Sequence, residues 1–146
     1  MIPALGGGFR RILNYLTFAA TSFLGLLRAT KPDYIFVESP PLLLTIPAYF
    51  FSRFWGVPLI LNVADLWPDT PIDMGFMRKE GIAARLVFAL ERWSYRKATY
   101  VNAVTEGIKA CLLREKSVPR DKVLFLPNGV DTVCLLYTSP SPRDTR

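Results

Sequence analysis

Two kinds of hydrophobic pattern alternate along the chain. Short runs of Leu, Ile, Val and aromatic residues, bounded by Pro, Gly or polar residues, predict buried strands at 34–37, 58–63, 100–104 and 122–126. Between them, apolar residues recur every three or four positions, which is the spacing of a helix face. The alternation predicts an α/β domain, a Rossmann-like parallel sheet with helices on both faces.

Four helices are predicted, at 9–29, 42–55, 81–98 and 106–116. In the second, Ser39 ahead of Pro40 is expected to cap the start, and Pro47 to kink the helix or start it afresh. Gly56 is expected to end it. Thr105 is the predicted N-cap of the fourth helix.

The predicted helix 81–98 has an apolar stripe and a charged face. The stripe is expected to point inward and consists of Ile82, Leu86, Ala89, Leu90 and Trp93. The outward residues are expected to be Arg85, Glu91, Arg92, Arg96 and Lys97, because charged side chains are seldom buried.

The first predicted helix is apolar and flanked by basic residues only. Arg10, Arg11, Arg28 and Lys31 surround it, and the first 31 residues contain no acidic residue. Polar residues interrupt it too often for a membrane span of about 20 residues, and no convincing signal-peptide cleavage site follows. Two interpretations stay open: the helix covers the sheet, or residues 9–31 also contact anionic lipid.

Composition describes one folded domain with a basic surface. The chain has 146 residues, 51% of them hydrophobic and 21% charged, which excludes a disordered or fibrous protein. Its net charge of +6 and pI near 9.6 favour an anionic partner. No recognition motif for nucleic acid is present, so nucleic acid is not predicted as a partner.

Histidine is absent, so no histidine base or histidine-rich metal site is predicted in this chain. The two cysteines, Cys111 and Cys134, give neither a metal-binding spacing nor a disulfide framework. A reducing, cytoplasmic environment is therefore expected.

The richest candidate chemistry follows the second predicted strand, in the segment PLILNVADLWPD from Pro58 to Asp69. Ligands of open α/β sheets bind at the carboxyl ends of the strands. Asp65 and Trp67 are therefore expected at the rim of a cleft, with Pro68 fixing the loop. In the alternative interpretation, Asp65 only caps the following turn and Trp67 only covers the edge of the core.

Several short motifs, in order over about a hundred residues, resemble the N-terminal domain of GT-B glycosyltransferases, in particular retaining family 4 enzymes of bacterial surface polysaccharide synthesis. The motifs are Ser39-Pro40-Pro41, Asp65-Leu66-Trp67-Pro68, ERWSYRKA at 91–98 with the Thr105 turn, and Pro127-Asn128-Gly129-Val130-Asp131. Ser117 stands where relatives often have glycine. No opening strand with a glycine loop precedes Phe9, and no second domain follows, so the resemblance implies a fragment.

The resemblance implies that this domain forms the acceptor side of the cleft, whereas the donor is held mostly by the missing domain. Asp65 is the implied catalytic candidate, as a group that orients the acceptor hydroxyl. The implied acceptor-binding residues are Ser39, Asp65, Trp67, Thr105 and Glu106. Asn128, Gly129 and Asp131 are expected to form the hinge to the missing domain. No metal and no cofactor is implied, since the nucleotide sugar is a substrate.

The expected function is transfer of a sugar from a nucleotide-sugar donor to a glycan or polyprenyl-diphosphate-linked acceptor, at the inner face of the cytoplasmic membrane. The fragment alone is expected to be inactive. The alternative is a non-catalytic Rossmann-type binding module with a basic surface. Residues 1–132 are taken as the partial domain. Residues 133–146 are expected to be a disordered tail, because Cys134 to Asp144 resembles a translated sequencing adapter and shows no apolar period.

Overall fold

A computed structural model describes residues 8–73, 75 and 80–129, and it contains a four-stranded parallel sheet. The strands are β1 (Ile35–Ser39), β2 (Leu59–Val63), β3 (Tyr100–Ala103) and β4 (Val123–Phe125), and they lie in the order β1-β2-β3-β4. All three neighbouring pairs are parallel. The predicted α/β class and Rossmann-like parallel sheet are confirmed, whereas the predicted helices on both faces are not seen among the described residues, in which α2, α4 and α5 share one face. The predicted tail at 133–146 lies outside the described residues.

Helices alternate with these strands. They are α1 (Gly8–Leu27), α2 (Thr45–Trp55), α3 (Asp69–Asp73), α4 (Ile82–Lys97) and α5 (Glu106–Arg114). Short 3-10 turns at Leu42–Leu44 and Arg120–Lys122 precede α2 and β4. The four predicted long helices are thus present, to within a few residues at their ends.

One face of the sheet carries the hydrophobic core. Parallel strands that follow one another in sheet order place their right-handed crossovers on the same face, and residues from α2, α4 and α5 all join one buried cluster. Its strand residues are Val37, Leu59, Leu61, Val63, Val101 and Ala103, and its helical residues are Ala48, Tyr95, Ala98 and Leu112.

The opposite face of the sheet is the less covered of the two in the described part of the chain. The register places Phe36, Ile60 and Tyr100 in one row, and Phe36 is 51% exposed. Asn62 and Asn102 form the next row. The Asn102 side-chain amide donates to Oδ1 of Asn62 at 2.6 Å, so this pair satisfies part of its own hydrogen-bonding capacity while buried.

The entry to α2 confirms the prediction made from Pro47. The chain makes a 3-10 turn first, and the α-helix starts afresh at Thr45, which leaves Pro47 in the first turn, where its missing N–H costs little. The predicted Ser39 cap is wrong. Ser39 ends β1, and the residue preceding the 3-10 turn is Pro41, which makes no side-chain cap. Gly56 ends α2 with a φ of 65°, a left-handed conformation that suits glycine.

The predicted inward face of α4 is wrong. Ile82 and Leu86 are 77% and 66% exposed, whereas Glu91, predicted to point outward, is 1% exposed. The buried side of α4 runs instead through Ala84, Glu91, Ser94 and Tyr95. The prediction failed because it placed every charge outside. Glu91 is buried together with a cationic partner that follows α5, described below.

The first helix packs against α2 and the 3-10 turn before it. The ring of Phe23 lies 5.1 Å from that of Phe51 in an edge-on contact. The predicted apolar stripe of α1 is largely exposed. Leu13, Leu16, Leu24 and Leu27 are between 48% and 62% accessible. No helix among the described residues has the length and apolar character needed to cross a bilayer.

Candidate functional site

The carboxyl ends of the four strands form one straight edge. Ser39, Val63, Ala103 and Phe125 are consecutive partners across the sheet. The loops that begin directly after these residues therefore emerge side by side, at the edge where ligands of parallel α/β sheets bind. The sequence-predicted site residues that the structure describes belong to these strand ends or to the loops and helix starts that follow them.

The loop after β2 carries Asp65 and Trp67, both of them half-buried. Oδ1 of Asp65 accepts a hydrogen bond from the Thr70 hydroxyl at 2.7 Å, which ties the carboxylate to α3. Leu66 packs against the core, and Pro68, joined to Trp67 by a cis peptide, is fully buried. The alternatives of turn cap and ligand group are therefore compatible for Asp65, since one carboxylate oxygen serves the turn.

Ser39 lies at the predicted edge, with its side chain buried. It is 2% exposed, on the face of β1 that also carries Val37. Its carbonyl accepts from the Ala64 backbone amide at 3.1 Å, so Ser39 holds the start of the Asp65 loop against β1. A direct contact of its hydroxyl with an acceptor stays a prediction.

Thr105 is the N-cap of α5, as predicted. Its hydroxyl accepts from the Ile108 amide at 3.2 Å, which satisfies one of the free N–H groups of the first turn. Glu106 is exposed and pairs with Lys109 one turn later, with 3.3 Å between Nζ and Oε2. Thr105 and Glu106 thus reach the same edge as Asp65, and each has a local structural role there.

The segment after β4 is attached to the sheet through Asn102. Oδ1 of Asn102 accepts from the Leu126 amide at 2.7 Å, and its Nδ2 donates to the Leu126 carbonyl at 3.2 Å. Asn128 and Gly129 follow as exposed residues. Gly129 does not adopt a left-handed φ, and no neighbouring atom lies within 4 Å of a Cβ built on it. Its hinge role stays a prediction, and Asp131 lies outside the described residues.

A buried ionic cluster behind the Asp65 loop was missed by sequence reasoning. Lys116, just past α5, lies between Asp69 of α3 and Glu91 of α4. Its Nζ is 3.0 Å from Oε1 of Glu91 and donates to Oδ2 of Asp69. Tyr95 donates to the same Glu91 oxygen at 3.1 Å. The available signal in the sequence was the spacing of Glu91 and Tyr95, which are one helical turn apart in the predicted helix 81–98.

The electrostatics of the cluster follow from burial and pairing. Burial raises the pKa of the Glu91 carboxyl above its usual 4.5, and the hydrogen bond from Lys116 only partly opposes this. Burial acts to lower the pKa of Lys116, but its hydrogen bonds to Asp69 and Glu91 outweigh that effect and raise it. Lys116 therefore stays charged at neutral pH.

No group of three or more acidic, cysteine or histidine side chains suited to a metal ion is found among the described residues. The arrangement at the edge can instead position a hydroxyl-bearing ligand. It offers a carboxylate (Asp65) beside an aromatic ring (Trp67), with a helix N-terminus (that of α5) on a neighbouring loop.

Comparison with known proteins identifies the family of the chain. The family model of the glycosyl transferase 4-like domain matches residues 2–129. Among curated proteins, the chain is similar to the probable glycosyltransferase WbjE of Pseudomonas aeruginosa, at 27% identity over 119 residues. That alignment covers 80% of this chain and 28% of the relative, so the chain spans less than a third of that protein. The parallel sheet, the loops at its carboxyl edge and the match over residues 2–129 together show that the chain belongs to the glycosyl transferase 4-like domain family.

Proposed function

We propose that this domain is the acceptor side of a retaining glycosyltransferase that acts in cell-surface polysaccharide synthesis. The donor would be a nucleotide sugar, and the acceptor a glycan or a polyprenyl-diphosphate-linked saccharide. The observation that carries the proposal is the position of Asp65, at the carboxyl edge of the sheet in a chain that belongs to a glycosyltransferase family. A relative named as a probable glycosyltransferase supports the same reaction class.

In this proposal Asp65 orients the acceptor hydroxyl. Thr70 holds Oδ1, and Oδ2 receives no hydrogen bond from the described residues. Oδ2 can therefore accept a hydrogen bond from the hydroxyl group of the acceptor. This bond would orient the hydroxyl oxygen toward the anomeric carbon of the donor. The half-buried ring of Trp67 would stack on a sugar or prenyl face. Thr105 and Glu106 would line the cleft next to it, and the buried Ser39 would shape its floor.

The proposal includes a negative expectation: the 146-residue chain transfers no sugar by itself. Orientation of two reactants can lower a barrier by about 7 to 11 kcal/mol. That gain requires the donor to be gripped as well, which we assign to a second domain beyond Asp131. No metal or cofactor is invoked, because a nucleotide sugar is an activated donor.

The decisive experiment uses a longer enzyme in which this domain is joined to the upstream and downstream segments of a full-length relative. Asp65→Asn should lower turnover at least about tenfold, as expected when a positioning hydrogen bond is lost, with donor affinity unchanged. Asp121→Asn is the matched control, since Asp121 is exposed at the opposite end of the sheet. Full turnover by Asp65→Asn would reduce Asp65 to a turn cap. Transfer by the isolated chain would refute the two-domain requirement.

We further propose that the domain works at the inner face of the cytoplasmic membrane, with residues 9–31 touching anionic lipid. Helix α1, which has exposed apolar side chains, packs against α2, and α2 carries Phe54, which is 78% accessible. Arg28 and Lys31, which follow α1, and Arg53 in the last turn of α2 are also exposed. Each basic residue adds about 1 kcal/mol of attraction to an anionic surface, an effect that salt weakens.

Co-sedimentation with vesicles tests the membrane proposal. Binding should be stronger to anionic than to neutral vesicles, should weaken with salt, and should fall in a Leu24→Ser, Leu27→Ser double variant. Equal binding to both vesicle types would contradict it.

Filter binding with single- and double-stranded nucleic acid tests the alternative of a non-catalytic binding module. That alternative predicts tight, salt-sensitive retention of nucleic acid.

A further inference from the structure

The segment that follows Asp65 makes a side-chain contact with a residue that is distant in sequence. Asp69, the first residue of α3, accepts a hydrogen bond from Lys116 across 47 positions of chain. The Lys116 side chain is 13% exposed, and its ammonium also lies 5.3 Å from the centre of the Phe88 ring. Lys116 therefore connects the short helix behind the candidate site to both α4 and α5.

The geometry of α3 makes this connection relevant to Asp65. Helix α3 spans only Asp69–Asp73, too short to be stable by itself. Within it, Thr70 binds the Asp65 carboxylate at 2.7 Å, and the Thr70 amide donates to the Leu66 carbonyl at 2.9 Å. A displacement of α3 would therefore move the partner of the Asp65 carboxylate.

The side chains of Glu91 and Tyr95 favour a lysine at position 116. Glu91 is 1% exposed and needs a cation, because an unpaired buried carboxylate is costly. The Tyr95 hydroxyl occupies one of its oxygens as well and fixes its orientation. Because Glu91 belongs to α4, its ion pair fixes the position of the Lys116 ammonium group. The N–H groups of that ammonium that do not bind Glu91 are available to Asp69.

We propose that Lys116 and Glu91 are positioning residues for the Asp65 loop: Glu91 anchors Lys116, and Lys116 holds α3 so that Thr70 orients the Asp65 carboxylate at the edge of the sheet. The meaning of this device for catalysis rests on the role proposed above for Asp65. The mechanical part does not, because it concerns only the position of α3 in the free domain.

Hydrogen exchange of the Thr70 and Ile72 amides, measured by NMR in the 146-residue chain, tests the proposal. Both amides make hydrogen bonds that depend on α3, to the Leu66 and Pro68 carbonyls. Lys116→Met keeps the apolar stem and removes the charge, and should speed their exchange about 10- to 100-fold, the effect of losing a hydrogen bond to a charged group. Lys116→Arg should restore protection, since a guanidinium can bridge two carboxylates.

The control is Arg114→Met, which removes one positive charge from an exposed position two residues before Lys116, at the end of α5, and should leave both amides unchanged. A merely structural role of Lys116 predicts another result. The Thr99 amide, bonded to Leu59 in the sheet, would then exchange faster, while Thr70 and Ile72 stay as in the unaltered chain. That result would overturn the proposal.

If Lys116→Met does not fold, Asp69→Asn decides. It leaves the Lys116–Glu91 pair intact and should speed exchange at Thr70 and Ile72 about two- to fivefold, as expected for a partly exposed ion pair. Unchanged exchange in Asp69→Asn would overturn the proposal. A second readout is the resonance of 5-fluorotryptophan at position 67, which should shift in Lys116→Met and return in Lys116→Arg. These measurements need no substrate, so their outcome is independent of the transfer assay. The proposal for Lys116 can be refuted while Asp65→Asn still impairs transfer, and Asp65→Asn can leave transfer unchanged while the proposal for Lys116 is upheld.

Discussion

Two surfaces of this domain are stabilised in opposite ways. Between α3, α4 and the end of α5, charged side chains are paired: Lys116 and Glu91 are largely buried, and Lys116 also binds the partly exposed Asp69. On α1, large apolar side chains are exposed, and the helix contributes little to the buried cluster. The difference indicates that contacts within the domain fix the first region. The exposed apolar side chains of α1 are instead available for contact with another molecule or with a membrane.

The largest contrast should appear when a leucine is truncated in each region. Leu61 is fully buried in β2, and Leu61→Ala should lower the free energy of unfolding by about 2 to 5 kcal/mol, because it removes contacts and leaves a cavity. Leu24 of α1 is 62% exposed, and Leu24→Ala should change it by no more than about 0.5 kcal/mol. Chemical denaturation of both variants checks this. Equal losses would mean that α1 is part of the core.

A pH titration should sharpen the contrast at the ionic cluster. Because burial raises the pKa of Glu91 in the folded chain above 4.5, the folded state binds a proton there more tightly than the unfolded state does. The stability contributed by Glu91 is therefore greatest at low pH, and is lost as pH rises from about 4.5 through the raised value.

The measurement is the difference in unfolding free energy between the unaltered chain and Glu91→Gln, taken from pH 4 to pH 7. This difference should fall as pH rises, by about 1.4 kcal/mol for each unit of raised pKa. A difference that grows with pH would show that pairing with Lys116, which lowers the pKa, dominates over burial.

A smaller effect is expected at the end of α5. Ser117 has a φ of 54°, a left-handed conformation that costs a residue with a Cβ about 1 kcal/mol. Ser117→Gly should therefore raise the free energy of unfolding by up to about 1 kcal/mol, since glycine suits this position after a helix. Ser117→Ala is the comparison, and should be no more stable than the unaltered chain. A loss of stability in Ser117→Gly would contradict the strain.

Much of the fold was predictable because the strands are short, apolar and separated by clear breaks. The strand PLILNV and its loop could be placed because both faces of β2 are largely covered, so nearly every residue is apolar. The new helix start close to Pro47 was predictable because proline lacks a backbone N–H. The N-cap at Thr105 was predictable from its hydroxyl and the helix that follows.

The buried face of α4 was not predictable from period alone. The hydrophobic stripe of α4 and its buried side differ, because Glu91 is buried with a charged partner 25 residues away, just past α5. Helical period reports which side chains are apolar, and it carries no information on long-range charge pairs. The Lys116 cluster, and with it the proposed support of the Asp65 loop, could be recognised only once α3, α4 and the segment after α5 were placed together.

The two hydrogen bonds between Asn102 and Leu126 have a consequence for the path of the chain. A carboxamide that accepts from an amide and donates to the carbonyl of the same residue imitates the edge of a β-strand. The exit direction of the polypeptide is thereby set by β3, a central strand, and not by β4, which is only three residues long. The direction in which residues after Leu126 leave the sheet is therefore fixed by one carboxamide on a central strand.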